Sequence, residues 1–377
     1  MSRVMDYIHA LFDGDSSKAI PPLDGVLAPN NKLDEWEVLV DGLTHPDDLA
    51  VLPGQGQCFY NDSESLYLCD GDGAGAVLVQ RFDAPIRALA ALASGELVIA
   101  LAHGELLKVA LDLSPDPALA IQARVAQPQL RGLTALAPAP DGQGVYFTIG
   151  STEHFGDDWV RDLFHQGASG SLGHWAFDGQ VTSLHSGLAY PSGVATSPDG
   201  STLFVTESWT HRLLKFKGGP QPQTAADVVL GNLPGYPGRI TPRADGGYWL
   251  SIFALRTQLV EFVLGEDRYR KRMLAECPVE LWIRPALSSG KSNLEPLQYG
   301  NMKALGIEKP WAPARSYGLL AQLNEQGQVT DSMHCRAGGT RHGLSSAGLL
   351  NGRTVLLSRG AGCILISPQD ASATSEN

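Results

Sequence analysis

The chain has 377 residues, 43% of them hydrophobic, with 42 glycines, 24 prolines and a formal charge of −12. An acidic balance with no basic stripe excludes nucleic acid as the expected partner, and no apolar run approaches the length of about 18 residues that a membrane span needs. The start, "MSRVMDYIHALFDGD", has neither a long apolar core nor a small-residue cleavage site, so a soluble cytoplasmic protein is expected.

In chain order, residues 4–12 ("VMDYIHALF") place apolar residues at helical spacing and predict a short helix within an N-terminal extension, 1–19. "WEVLV" (36–40) reads as a lone strand ahead of a recurring pattern of turn, short strand, glycine-containing turn and apolar strand. That pattern appears six times. Its copies are "LTHPDDLAVLPGQGQCFYND" (43–62), "FDAPIRALAALASGELVIAL" (82–101), "QLRGLTALAPAPDGQGVYFTIG" (129–150), "LAYPSGVATSPDGSTLFVTES" (188–208), "LPGYPGRITPRADGGYWLSIF" (233–253) and "GGTRHGLSSAGLLNGRTVLLS" (338–358).

Equivalent positions fall near Asp47, Arg87, Arg131, Ser192, Arg239 and His342, and the first two intervals match the period of about 40–45 residues of a four-stranded propeller blade. The expected fold is therefore all-β, a single six-bladed β-propeller over 20–370 followed by a tail, 371–377. "WEVLV" is the expected closing strand. Insertions near 151–170 and 277–313 are expected to lie as loops or short helices over one face. The first strand of each blade lines the channel, so the six positions should converge on one axial pocket.

Several stretches, "GVYFTIGSTEHFGDDWVRDLFHQGASGSLGHW", "SGVATSPDGSTLFVTESWTHRLLKF", "LPGYPGRITPRADGGYWL" and "RSYGLLAQLNEQGQVTDSMH", resemble the strictosidine synthase-like proteins, whose wider clan includes regucalcin/gluconolactonase and the paraoxonases. The resemblance runs from about residue 20 to 367. It implies the propeller, and in metal-dependent relatives a calcium ion held on the axis by a Glu, several Asn and an Asp. Here the Glu position falls on Asp47 of "HPDDL", the Asn positions on Arg131 of "RGL" and Ser192 of "PSGV", and an Asp-Asn pair on Gly238 and Arg239 of "YPGRI".

Calcium requires about six to eight oxygen donors, and arginine offers none. The expectation is accordingly no metal and no cofactor, with the guanidinium of Arg239 or Arg131 standing in the cation's place and pairing with Asp47. Strictosidine synthesis is not expected, because the family's catalytic Glu falls near Ser345, which cannot replace a carboxylate as proton acceptor.

The expected partner is a small molecule, anionic because Arg87, Arg131 and Arg239 share one channel mouth. Asp47 and His342 are the acid-base candidates. Ser192, Glu153 and His154 are further candidate contacts, the last two from the insertion that covers the pocket. Structural alternatives stay open: His342 as a satisfied buried histidine, the arginines in internal ion pairs, and Glu153 and His154 on a surface loop. Two other functions also stay open, a calcium-dependent lactonase or esterase and a non-catalytic binding propeller.

Five cysteines without a CxxC spacing imply neither zinc nor a disulfide framework. Cys58 and Cys69 are placed to face each other across a hairpin, and free buried thiols are favoured. "DGDGAG" (70–75) lacks the third acidic residue and the distal Glu of a calcium loop and reads as a turn, while Glu207 and Arg212 read as a structural pair on adjacent strands.

Overall fold

The computed structural model describes residues 19–71, 75–112, 117–289, 303–304, 307–308 and 316–369. The helix expected over 4–12, the centre of "DGDGAG" and most of 277–313 lie outside the described residues.

Short alternating runs separated by glycine turns build six four-stranded antiparallel sheets. Blade one is Leu49–Leu52, Gln57–Asp62, Ser65–Asp70 and Val77–Arg81. Blade two is Ile86–Ala91, Leu97–Leu101, Glu105–Asp112 and Ala118–Ala126, and blade three Leu133–Pro138, Gly144–Ile149, Gly170–Ala176 and Val181–Leu188. Blade four is Pro191–Thr196, Thr202–Glu207, Arg212–Lys217 and Asp227–Leu230, and blade five Gly235–Pro242, Tyr248–Leu255, Gly318–Leu323 and Val329–Cys335. Blade six is Leu344–Leu350, Arg353–Ser358 and Cys363–Ile366, completed on its outer edge by Glu37–Val40 from the other end of the chain. The expected closing strand is thus in place, and it covers an edge that would otherwise expose unpaired backbone.

A separate hydrophobic cluster fills each junction between neighbouring blades. Phe59 and Ile99 sit between blades one and two, Val98 and Trp175 between two and three, Leu172 and Leu203 between three and four, and Phe204 and Leu250 between four and five. Trp249 and Leu356 join blades five and six, and Cys58, Tyr60 and Leu357 join six to one. Cys58 and Cys69 are directly opposed across their hairpin, and both are free thiols.

Both insertions leave the same point of their blade, between the second and third strands. In blade three the insertion forms a 3-10 turn (Gly156–Asp158) and a helix (Trp159–His165); in blade five it starts earlier than the expected 277–313, with two helices (Gln258–Gly265 and Asp267–Glu276). Thr257 Oγ1 caps the Gln258–Gly265 helix by accepting from the Val260 N–H at 3.3 Å. The two insertions share one apolar cluster containing Trp159, Phe164, Val260, Met273 and Trp282. Together they form a lid anchored to the mouth of the channel.

Candidate axial pocket

The channel-lining strands are irregular at the same place. Their pairing with the second strand shifts at Arg87 in blade two, Thr134 in blade three, Ser192 in blade four, Gly238 and Arg239 in blade five, and Ser345 and Ser346 in blade six. A β-bulge adds an unpaired residue and re-aims its side chain. Five successive bulges therefore turn polar residues into the channel where an unbroken ladder would have buried or exposed them in alternation. Blade one reaches the same level with Asp47 and Asp48 ahead of its first strand, held by the buried Asn61, whose Oδ1 accepts their N–H groups at 3.2 and 2.9 Å.

At the centre stands the guanidinium of Arg239, buried at 8% exposure. Its Nη1 donates to the Asp47 carbonyl and to Ser345 Oγ (2.6 Å), and its Nη2 to the carbonyls of Arg87 (2.6 Å) and Thr134 (2.9 Å). One side chain from blade five thus binds blades one, two, three and six. Blades four and five are tied separately by Ser192 Oγ, which donates to the Pro237 carbonyl at 2.9 Å. Gly193 permits that approach, because a Cβ there would lie 2.5 Å from the Gly238 oxygen.

Arg239 also pairs with Asp48 at 3.4 Å and with Asp47 at 3.5 Å. Asp47 meets two more guanidiniums, Arg87 at 3.2 Å and Arg359 at 3.4 Å. Burial pushes the Asp47 carboxyl up, but Arg359, Arg239 and Arg87 together outweigh it and hold the group below its ordinary value. Asp48 goes the other way: burial raises it further than Arg239, the Ser346 hydroxyl and the Leu89 N–H lower it.

Part of the pocket wall is aromatic. Trp159 from the lid, Tyr190 and Phe253 line it, with Trp209 stacked behind Tyr190 at 4.4 Å between ring centres. The pocket spans some 620 Å³, open solvent at its mouth included. At that mouth Asp157 of the lid reaches Arg359 at 3.7 Å. Gly156 lies against Arg87 so closely that a Cβ would fall 2.4 Å from its Nη2.

Four of the six expected head residues, Asp47, Arg87, Ser192 and Arg239, do converge. Arg131 and His342 do not. Arg131 is exposed at the end of a 3-10 turn, Pro128–Leu130, and Thr134 three residues later faces the pocket. His342 is buried at 1% exposure, its Nδ1 at 2.8 Å from Ser316 Oγ and its Nε2 at 3.1 Å from the Arg336 carbonyl, while Ser345 takes its place at the axis. Burial also lowers the His342 pKa, opposed by the Arg336 carbonyl. The expected Asp47–His342 pair is therefore not one centre.

Glu153 is exposed and His154 pairs with Asp158 at 2.9 Å; the lid reaches the pocket instead through Gly156 and Trp159. Arg359 follows a second strand, Arg353–Ser358, and so lies outside the pattern of first-strand heads that the repeat marks. Glu207 and Arg212 are register partners, joined at 2.9 Å.

The residues on the axis do not fit a calcium ion. The oxygens that converge there already accept from a guanidinium, which carries its own positive charge and supplies no donor. Among the described residues no group of three or more His, Cys, Asp or Glu is placed to hold a metal.

Fold and pocket together define a six-bladed propeller with an axial pocket under an inserted lid. The chain belongs to the family described as the SMP-30/Gluconolactonase/LRE-like region, which matches residues 52–262. Protein STRICTOSIDINE SYNTHASE-LIKE 2 of Arabidopsis thaliana is 29% identical over 63% of this chain and 57% of its own length. The human adipocyte plasma membrane-associated protein is 27% identical over 69% of this chain and 66% of its own length. The chain thus spans less than two thirds of these relatives.

A regucalcin from Agrobacterium tumefaciens, described as calcium-binding, superposes with a TM-score of 0.54 at 13% identity, over 88% of this chain and 94% of that one. A gluconolactonase from Xanthomonas campestris gives 0.53 at 14% identity, over 89% and 91%. At such identities the likeness carries the fold alone. No helix among the described residues is long and apolar enough to cross a membrane.

Proposed function

We propose that this chain takes an anionic small molecule into the axial pocket without a metal ion, with Arg87 and Arg359 as its charged receivers. The observation that carries this reading is the position of Arg239. Its guanidinium satisfies the blade-head oxygens from within, so the axis has a built-in cation and two further guanidiniums face the pocket.

Acid-base conversion of the ligand has Asp47 as its carboxylate. Three guanidiniums make that carboxylate a weak base, so the geometry supports anion binding more strongly than proton transfer. Membership of the SMP-30/Gluconolactonase/LRE-like family supports a lactonase equally, and the oxygens around Arg239 are of the type calcium binds. That second reading requires Arg239 to leave the axis.

Elemental analysis of protein purified without chelator, then soaked in calcium, separates the two. The expected result is no stoichiometric calcium. Stoichiometric calcium with calcium-dependent hydrolysis of a lactone would overturn the proposal in favour of the lactonase.

A further inference from the structure

We infer that the ligand of this pocket is a monocarboxylate carrying a flat apolar body, its carboxylate received by Arg359 and its body laid against Tyr190 and Trp159. The inference rests on the anion-binding reading above and narrows it.

Charge sets the first limit. Arg87, Arg239 and Arg359 face two carboxylates within the pocket, Asp47 and Asp48, which leaves one positive charge in surplus there, met only from the mouth by the exposed lid residue Asp157 at 3.7 Å. A monoanion matches that surplus. A phosphate dianion would exceed it and would also face Asp47.

Bonding identifies the receiver. Arg239 spends its Nη donors on blade-head oxygens, and Arg87 donates to Asp47 at 3.2 Å. Arg359 differs in its Nη atoms, which reach carboxylates only at 3.4 and 3.7 Å, while its Nε, like that of Arg239, is buried with no hydrogen-bond partner. A planar fork with donors to spare suits a carboxylate bound through both oxygens. The lid's own Asp157 already occupies the solvent side of that fork, and the incoming carboxylate replaces it.

Shape identifies the body. Tyr190 adopts a left-handed backbone, φ +57°, a costly conformation for a bulky residue and one that clusters at ligand sites. It turns the ring into the pocket, stacked on Trp209, with Trp159 and Phe253 packed edge to face at 5.5 Å beside it. Flat apolar groups pack well on such a wall.

The test is calorimetric titration of the full chain with 3-phenylpropionate, 3-phenylpropionamide, propionate and inorganic phosphate. The acid should bind, with the amide and propionate each at least about tenfold weaker and phosphate silent at millimolar concentration. Arg359→Gln should weaken the acid by about tenfold to a hundredfold and leave the amide unchanged. Arg359→Lys should recover part of the loss, which separates charge from folding. An amide binding as tightly as the acid overturns both this inference and the anion reading. Phosphate or propionate binding at least as tightly as 3-phenylpropionate overturns the inference alone, and so does binding by none of the four.

Discussion

Arg239→Ala removes the side chain that joins four blades at the axis. It leaves the Asp48 carboxylate without its cation at 3.4 Å, and the Arg87 and Thr134 carbonyls without their donor. Removing one partner of a buried pair costs about 3–5 kcal/mol, and water entering from the open pocket rehydrates the carbonyls, so no further penalty is added for them. Unfolding entropy of about 2.1 cal/mol/K per residue, about 0.8 kcal/mol/K for this chain, converts that loss into a fall in Tm of roughly 4–6 °C. Urea unfolding should show a lower midpoint at unchanged slope.

The same variant exposes a cluster of oxygens: the Asp47, Arg87 and Thr134 carbonyls, Ser345 Oγ and the carboxylates of Asp47 and Asp48. That set meets the lower limit of calcium coordination, about six donors. Calcium at a hundredfold excess over its Kd should therefore return about 2.7 kcal/mol to the variant and nothing to the parent. A variant that melts with the parent refutes the argument that the guanidinium holds the blade heads. One that falls but ignores calcium refutes the equivalence of guanidinium and ion.

Other outcomes follow from the same structure. His334 is fully buried between Tyr317 Oη (3.0 Å) and Ser332 Oγ (2.9 Å), and burial, with Lys32 adding to it, lowers its pKa to about 4. Because the folded value lies below the ordinary 6.5, the unfolded chain takes up the proton first. Stability should be full above that value and fall between about pH 6.5 and 4 by up to about 1.4 kcal/mol per pH unit, a slope that His334→Gln flattens in urea titrations at several pH values. Ellman's reagent should modify Cys277 quickly in the native protein and the buried Cys58, Cys69, Cys335 and Cys363 only on unfolding; rapid native reaction at all of them would contradict the burial. Gly156→Ala pushes a Cβ well inside contact distance of the Arg87 guanidinium in a positive-φ turn and should loosen the lid, seen as faster proteolysis near residue 156 at nearly unchanged Tm.

The fold was legible because a propeller repeats its chemistry: glycine turns and alternating strands recur at a blade's length, and the orphan "WEVLV" has one place to go. The site was legible only where the repeat and the bulge coincide. At blades two, four and five the aligned residues, Arg87, Ser192 and Arg239, are the ones the bulges turn inward. At blades three and six the repeat's equivalent positions, Arg131 and His342, lie in the turn ahead of the strand, three residues before Thr134 and Ser345, which the bulges turn inward. A bulge is an irregularity in pairing between two strands, and periodicity within one strand carries no trace of it.

The aromatic wall was out of reach for a different reason. It joins Trp159 of a lid helix to Tyr190, just ahead of the first strand of blade four, and to Phe253 in the second strand of blade five, contacts that exist only after the ring has closed. Arg239 is legible in the sequence all the same, because the chemistry of a guanidinium does not depend on exact placement. A residue with no acceptor, fixed in charge, excludes a cation from any site whose oxygens it can reach, and the same property lets it bind those oxygens together.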